Sequence, residues 1–153
     1  MKVLRGSLWD PRLNNCVKVV PTNLGWKSNG ENVMGRGVAK QATEKYQMLS
    51  SWYGWRCKAM ADNELTRLYR YRDLVLFPVK PLDRLMPHMS WRQPASLELV
   101  EKSTIQLASF MGMDKVALPL VGCGNGRLDS RDVLPILQKH LKDDRFLLIL
   151  TNN

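Results

Sequence analysis

Strand-length apolar runs alternate along the chain with stretches whose apolar positions return every three or four residues. Lys2 to Arg5 reads as a short opening strand, and Cys16 to Val20 as a second, apolar and β-branched. From Pro21 to Asn32 the composition turns to Asn, Gly, Ser and Lys, which is loop chemistry. A helix is expected to open near Gly35–Gly37, run through Val38, Ala39, Ala42, Tyr46 and Leu49, and stop at Gly54. Leu65 to Tyr71 and Leu74 to Val79 read as two strands about an Arg72-Asp73 turn, and Pro81 to Pro94 as a second long loop. The next helix is expected from Pro94 to Met111, with Leu97, Val100, Thr104, Leu107 and Met111 on one face and Gly112 as its stop. Lys115 to Leu120 reads as a strand buried on both faces. After a glycine-rich loop, a helix is expected from Asp132 to Lys142; Pro135 is tolerated only in a first turn, which favours a start close to Asp132. Arg145 to Leu150 is the last strand.

This alternation predicts an α/β fold with a mixed, largely parallel sheet covered on both faces. Ligands in such sheets bind beyond the carboxyl ends of the strands, which selects the loops at 21–36, 80–93 and 121–129. The 153 residues suit one domain, and neither a repeat nor a linker divides them.

Composition narrows the class. The longest apolar run, Phe146 to Leu150, is far short of the roughly 20 residues of a membrane span. The opening MKVLRGSLWD lacks the apolar stretch of a signal peptide. The three cysteines, Cys16, Cys57 and Cys123, form neither a disulfide framework nor a metal-ligand set, so a cytoplasmic setting without a metal is expected. A formal charge of +9 favours polyanionic partners, although an ordinary solvated surface has the same composition.

Three glycines in five positions mark Val121-Gly122-Cys123-Gly124-Asn125-Gly126-Arg127-Leu128. Glycines admit positive φ and close approach of backbone to ligand, and consecutive N–H groups ahead of a helix suit a phosphate. The spacing matches neither a P-loop nor the dinucleotide fingerprint. Met34-Gly35-Arg36-Gly37-Val38 is a second such loop; facing the first across one crevice, it suits a ligand with several anionic or ribose groups. Asn23, in Pro21-Thr22-Asn23, either bonds ribose hydroxyls or a catalytic water, or satisfies its own loop. Lys80 ends an apolar strand: desolvation there makes an amine nucleophilic, whereas snorkelling leaves it an ordinary cation. Cys123 with His88 or His140 is a weaker Cys–His alternative.

In order, these stretches resemble a macrodomain, the three-layer α/β/α module that binds ADP-ribose. Leu4-Arg5-Gly6-Ser7-Leu8 is similar to the family's opening strand and adenine-contacting loop. Pro21-Thr22-Asn23 and Val33 to Ala42 resemble the first ligand loop and its helix. Phe77-Pro78-Val79-Lys80, Ser90-Trp91-Arg92 and Ser96-Leu97-Glu98-Leu99 resemble the DNA ADP-ribosyl glycohydrolase antitoxins, and Leu118 to Asp129 is similar to the phosphate-and-ribose loop. The resemblance implies one ADP-ribose-binding domain over 1–153 with a mixed six- or seven-stranded sheet. It implies no cofactor, ADP-ribose being ligand or product. Ser7, Leu8, Thr22, Met34, Gly35, Gly37, Val38 and residues 121–128 would line the cleft, and Lys80 and Asn23 would be catalytic.

The resemblance also implies the chemistry, removal of ADP-ribose from a modified acceptor. That acceptor is thymine in DNA in the antitoxin group and a carboxylate ester in the terminal ADP-ribose protein glycohydrolases. Lysine either attacks the anomeric carbon or acts by its charge. DNA is the favoured partner here: the ester-cleaving group has an acid where Gly126 stands, and cations at Lys27, Arg36, Arg84, His88, Arg92 and Arg127 rim the loops with Trp26 and Trp91. Three departures stand out. Ser7 replaces an adenine-reading Asp, and the loop after Asn23 is longer than in the antitoxins. The antitoxins' further C-terminal domain is not expected after Asn153, and with it a toxin-sequestering role. A monomer is expected. A non-catalytic ADP-ribose reader and an ADP-ribose 1″-phosphate phosphatase use the same cleft.

Overall fold

The computed structural model describes residues 1–110, 112 and 115–151. In chain order the elements are β1 (Lys2–Arg5), β2 (Val17–Asn23), α1 (Gly37–Lys45), α2 (Leu49–Asp62), β3 (Tyr69–Tyr71) and β4 (Leu74–Lys80). They continue with α3 (Leu97–Ala108), β5 (Val116–Leu118), α4 (Ser130–His140) and β6 (Phe146–Leu150), and short 3-10 segments lie at Pro11–Leu13 and Pro87–Arg92. The six strands form one sheet in the order β1-β6-β5-β2-β4-β3, parallel throughout except for the β3–β4 hairpin. Among the described residues no helix is long and apolar enough to cross a membrane.

Strand alternation sorts the core into two layers. Val17, Val19, Val75, Phe77, Val79, Val116, Leu118, Phe146 and Leu148 face α3 and α4, where Val100, Leu107, Val133 and Leu137 meet them. Val20, Leu74 and Leu76 face the opposite way, against Leu49, Tyr53, Cys57 and Met60 of α2 and Ala42 of α1. Ala117 and Ile149 on that second face are covered by Leu8, Leu13 and Cys16 from the segment after β1. The result is helix, sheet, helix, the three-layer arrangement expected.

Two prolines shape the carboxyl end of the sheet. β2 pairs with β5 only at Val17 and Lys18, and β4 pairs with β3 only from Leu74 to Leu76. Beyond those residues β2 and β4 have only each other, and Pro21 and Pro78 fall there. A proline cannot donate to a ladder, so it is tolerated where a strand has a single neighbour. The Pro78 carbonyl accepts from Ser103 Oγ at 2.8 Å, and the Val79 carbonyl accepts from the Ser96 N–H at 2.9 Å. The two strands therefore project as a ribbon into the loops.

Several elements differ from the sequence expectation. β2 runs on to Asn23 rather than ending at Val20, because β4 continues to pair with it. The single helix expected up to Gly54 is two. Its first part ends at Lys45, where Tyr46 turns extended and sends its hydroxyl to Asp73 at 2.5 Å, and α2 runs through Gly54 to Asp62. β3 is confined to Tyr69–Tyr71, without Leu65 to Leu68. α3 starts after Pro94, at Leu97, because the Ser96 side chain caps the Leu99 N–H, and it ends at Ala108, before Gly112. Val100, Thr104 and Leu107 are buried on the expected face, but Leu97 at its start is exposed and Leu99 is buried in its place; Met111 lies outside the described residues. α4 begins at Ser130 under the Asp129 cap, which puts Pro135 in its second turn, where the unbonded Arg131 carbonyl belongs to an exposed residue. Lys18, in a strand expected to be apolar, is buried and pairs with Asp73 at 3.3 Å.

Gly54 packs rather than stops. A Cβ there would lie 1.9 Å from the Gly30 carbonyl oxygen and 2.6 Å from the Asn32 nitrogen. Glycine to alanine inside a helix ordinarily stabilises by about 1 kcal/mol. Here Gly54→Ala is expected to destabilise by ~1–3 kcal/mol from overpacking, lowering Tm by roughly 3–10 °C. A thermal melt with Tm unchanged or raised would show that the 24–33 loop yields to α2.

Candidate functional site

The register of β2 against β4 shifts between Thr22 and Asn23, which sets Asn23 opposite Lys80. The two expected catalytic residues thus sit side by side. Asn23 is buried and already engaged: its Nδ2 donates to the Val33 carbonyl at 2.8 Å, and its Oδ1 accepts from the Gly25 N–H at 3.0 Å and from Asn32 Nδ2 at 3.0 Å. Asn32, 1% exposed, also donates to the Asn23 and Gly25 carbonyls, and its own N–H donates to the Ser50 carbonyl. It is the positioning residue that sequence reading passed over. A lone Asn in a polar loop carries no signal until its burial is known.

Lys80 is half-buried, and its Nζ donates to the Trp91 carbonyl at 2.8 Å. Trp91 and Arg92 end the second 3-10 segment, and the Arg92 carbonyl accepts from Arg127 Nη2 at 3.2 Å. The Arg36 guanidinium stacks 5.6 Å from the centre of the Trp91 ring. Three cations therefore converge, and among the described residues none of them pairs with a carboxylate. Burial, then the charges of Arg127 and Arg36, hold the Lys80 ammonium below its ordinary value of 10.5. Both effects shift the balance toward the neutral amine relative to a solvated lysine.

The two glycine loops meet as expected. A Cβ at Gly37 would lie 3.3 Å from Asn125 Nδ2, so the N-terminus of α1 abuts the 121–128 loop. That helix has no side-chain cap. Among the described residues the N–H groups of Gly124, Asn125 and Gly126 find no acceptor within the chain. Unpaired N–H groups beside a helix N-terminus are a site for an anion. Gly35 and Gly124 stand in open space, whereas Gly126 is enclosed: a Cβ there would sit 2.4 Å from the Gly122 carbonyl oxygen and 2.8 Å from Ala95 Cβ. Gly122 at φ 78° and Arg127 at φ 64° complete the turn, held by Leu128 N–H to the Gly122 carbonyl at 2.9 Å.

The other expected residues divide. Ser7 is exposed at the loop after β1, where its Oγ caps the Trp9 N–H at 3.1 Å. Leu8, Met34 and Val121 bury their side chains in the core, and Val38 and Leu128 pack partly against it. The Thr22 hydroxyl bonds Tyr53 Oη at 2.9 Å, inside the α2 layer. Of the aromatic candidates, Trp26 packs on that same layer and Trp91 is covered by Arg36. Lys27 pairs with Glu31 at 3.7 Å. His88 and Arg92 are exposed, while Arg84 lines a separate cavity of about 350 Å³ with Leu24, Cys57 and Leu99. The Cys–His alternative finds no geometry. The Cys123 thiol is pushed up by burial and by Asp129 and donates to the Val121 carbonyl, and His140 faces Glu101 at 3.4 Å. Among the described residues no cluster of three or more His, Cys, Asp or Glu is arranged to hold a metal.

A mixed six-stranded sheet between helix layers, with two glycine loops and a lysine at its carboxyl edge, is the macrodomain fold, and the chain has it. No protein-family model matches the chain. Over 115 residues, 69% of its length, it is 29% identical to the DNA ADP-ribosyl glycohydrolase of Mycobacterium bovis, of whose length it spans 30%. Its structure superposes on the macrodomain of Thermus aquaticus DarG with a TM-score of 0.73 at 23% identity, covering 99% of this chain and 97% of that one. The Thermosipho africanus DarTG structure in complex with ADP-ribose gives a TM-score of 0.72 at 20% identity, covering 99% of this chain and 42% of that one.

The glycine geometry separates two roles by mutation. Gly126→Ala is expected to destabilise the fold by ~1–3 kcal/mol, because its Cβ meets backbone. Gly124→Ala is expected to melt within about 2 °C of the parent, because nothing lies within 4 Å of its Cβ. Equal melts for the two variants would show that the loop relaxes.

Proposed function

We propose that residues 1–153 form one ADP-ribose-binding unit that acts as an ADP-ribosyl glycohydrolase, releasing ADP-ribose from a modified base in DNA. One observation carries the reading: a partly desolvated amine, Lys80, lies amid uncompensated Arg36 and Arg127 at the strand ends. The N–H groups of Gly124 to Gly126 and the first turn of α1 offer the pyrophosphate its donors. ADP-ribose is ligand and product, not cofactor. The DNA ADP-ribosyl glycohydrolase and the ADP-ribose complex among the similar proteins agree with this assignment.

In this reading the neutral Lys80 amine attacks the anomeric carbon of the distal ribose as the bond to the base breaks, and the base leaves with the amine's proton. Ring opening leaves an imine, and water hydrolyses it, restoring the amine and freeing ADP-ribose. The Trp91 carbonyl orients the amine throughout. Asn23, opposite Lys80, holds the loop that closes over the ribose through its bonds to Val33 and Gly25.

The acceptor reading draws on two features. A carboxylate at position 126 would have no room, since even a Cβ there collides with the Gly122 carbonyl. Arg36 and Arg127 beside the amine, with Arg92 exposed on the adjoining 3-10 segment, suit a phosphate backbone. Trp26 and Trp91 contribute less than free aromatic rings would, being packed or stacked already. The three cysteines, all free, accord with a cytoplasmic monomer.

Lys80→Ala is expected to abolish release of ADP-ribose from an ADP-ribosylated oligonucleotide while leaving calorimetric ADP-ribose affinity within about threefold. Borohydride added during wild-type turnover is expected to leave an ADP-ribose adduct on Lys80, read by mass spectrometry. Because the folded-state amine titrates below 10.5, turnover is expected to rise as pH climbs through that lowered value. A rate that falls over the same range with no adduct assigns Lys80 a charge role. Turnover retained in Lys80→Ala overturns the assignment.

Gly124→Glu tests the cleft itself. The loop has room for the side chain, and the carboxylate would repel the pyrophosphate, so ADP-ribose affinity is expected to fall at least tenfold. Unchanged affinity in the folded variant moves the ligand elsewhere.

A further inference from the structure

The outer edge of the sheet carries a second cationic surface, away from the cleft. β3 is the edge strand, and the rings of Tyr69 and Tyr71 stand on its α2 side against Trp52, with ring centres 6.2 and 4.9 Å apart, edge to face. Tyr46 continues the row, 5.6 Å from Tyr71. Arginines lie on these rings. The Arg56 guanidinium is 3.6 Å from the Trp52 centre, Arg67 is 4.8 Å from Tyr69, and Arg72 is 5.7 Å from Tyr46 and 5.9 Å from Tyr71. Arg70, on the same strand, donates to the Arg72 and Gly112 carbonyls.

Among the described residues none of these four arginines pairs with a carboxylate. Asp73, next to Arg72 in the chain, is taken by Lys18, Lys45 and Tyr46. Arg56 already donates from Nη1 to the Trp52 carbonyl at 3.0 Å. On Arg67 and Arg72 stacking fixes the plane of the guanidinium and leaves its N–H edge for an acceptor, and a planar fork matches a phosphate. A row of like charges without counter-charge is what a repeating polyanion relieves.

The register along β4 gives the distance between this surface and the cleft. Tyr69 pairs with Leu76 and Tyr71 with Leu74, four and six residues back along β4 from Lys80. At ~3.3 Å per residue these positions are roughly 13 and 20 Å from the amine. Alternation puts Leu76 and Leu74 on the face of Tyr69 and Tyr71, and the register slip lies between them and Lys80. A stacked strand, at ~3.4 Å per nucleotide, covers that distance in roughly four to six nucleotides.

We propose that this arginine–aromatic edge is a nucleic-acid track that holds the acceptor strand beyond the reacting nucleotide. Arg56, Arg67 and Arg72 grip backbone phosphates while Lys80 addresses the ADP-ribose. The identity of the strand rests on the function proposed above; the polyanion site itself does not. The track gives the enzyme a preference for long acceptors over short ones, and that preference is salt-dependent because phosphate contacts release counterions.

The test pairs a 20-nucleotide ADP-ribosylated single strand with an ADP-ribosylated mononucleoside, and pairs wild type with Arg67→Gln/Arg72→Gln and the charge-conserving Arg67→Lys/Arg72→Lys. Thermal melts first establish that both variants fold. At low salt the Gln variant is expected to raise KM for the 20-mer about tenfold, with kcat and all mononucleoside kinetics unchanged, and the Lys variant to recover part of that loss. Anisotropy with an unmodified 20-mer is expected to show a salt slope shallower by about 1.4 in the Gln variant, from ~0.7 per phosphate on a single strand. That binding reads the track whether or not the protein is catalytic. Loss of turnover on both substrates in wild type would sink the glycohydrolase reading alone. Unchanged 20-mer KM and unchanged salt slope in the Gln variant would overturn the track, as would tighter binding of poly-glutamate than of the 20-mer.

Discussion

The slip in register between Thr22 and Asn23 governs the site. Parallel pairing carries β2 and β4 together to their ends, and the slip brings Asn23 across from Lys80. Pro21 and Pro78 keep β5 and β3 from following that far, so the ends stand clear of the sheet. Everything attached to Asn23 inherits its position. Asn32 bonds it from the long loop, α2 bonds Asn32 through Ser50, and Gly54 lets that loop lie against the helix. The loop is thus clamped from two sides before any ligand arrives, which is preorganisation in the ordinary sense.

Electrostatics gives the site its sign. Lys80, Arg36 and Arg127 are brought together without a counter-charge, and the peptide carbonyls that end a 3-10 segment carry the compensation instead. A carbonyl can orient an amine without protonating it, whereas a carboxylate would draw it back to the ammonium form. The charges that, with burial, lower the Lys80 ammonium below its ordinary value also suit an anionic ligand. In the function proposed, recognition and reactivity would stem from one arrangement.

Much of this was legible in the residues. The six strands, the glycine loops and the lysine at the end of an apolar strand lie where period and punctuation put them, although β2 outruns its expected span and β3 and β5 fall short of theirs. Helix starts moved with local caps, at Ser96 and Asp129, while the other readings that failed turned on partners distant in the chain. Gly54 looks like a stop because helices commonly end at glycine, yet it marks the passage of a loop across α2. Lys18 sits in an apolar run because Asp73, 55 residues on, receives its charge. Met34 and Thr22 turn their side chains into the core, which leaves only their backbone for a ligand, and local spacing does not say so. Asn32 carried no sequence signal at all. Its role exists only once Asn23, Gly25 and α2 surround it.

The cysteines lend themselves to a use that has nothing to do with chemistry in the cleft. Cys16 and Cys57 are sealed in the core, and burial pushes the Cys57 thiol up to about 12. Cys123 alone is partly open, within the glycine loop that abuts α1. An alkylating fluorophore applied to the native protein at mildly alkaline pH would therefore mark a single position. Its emission would report on the loop as ligands come and go, with no engineered cysteine and no native thiol to remove.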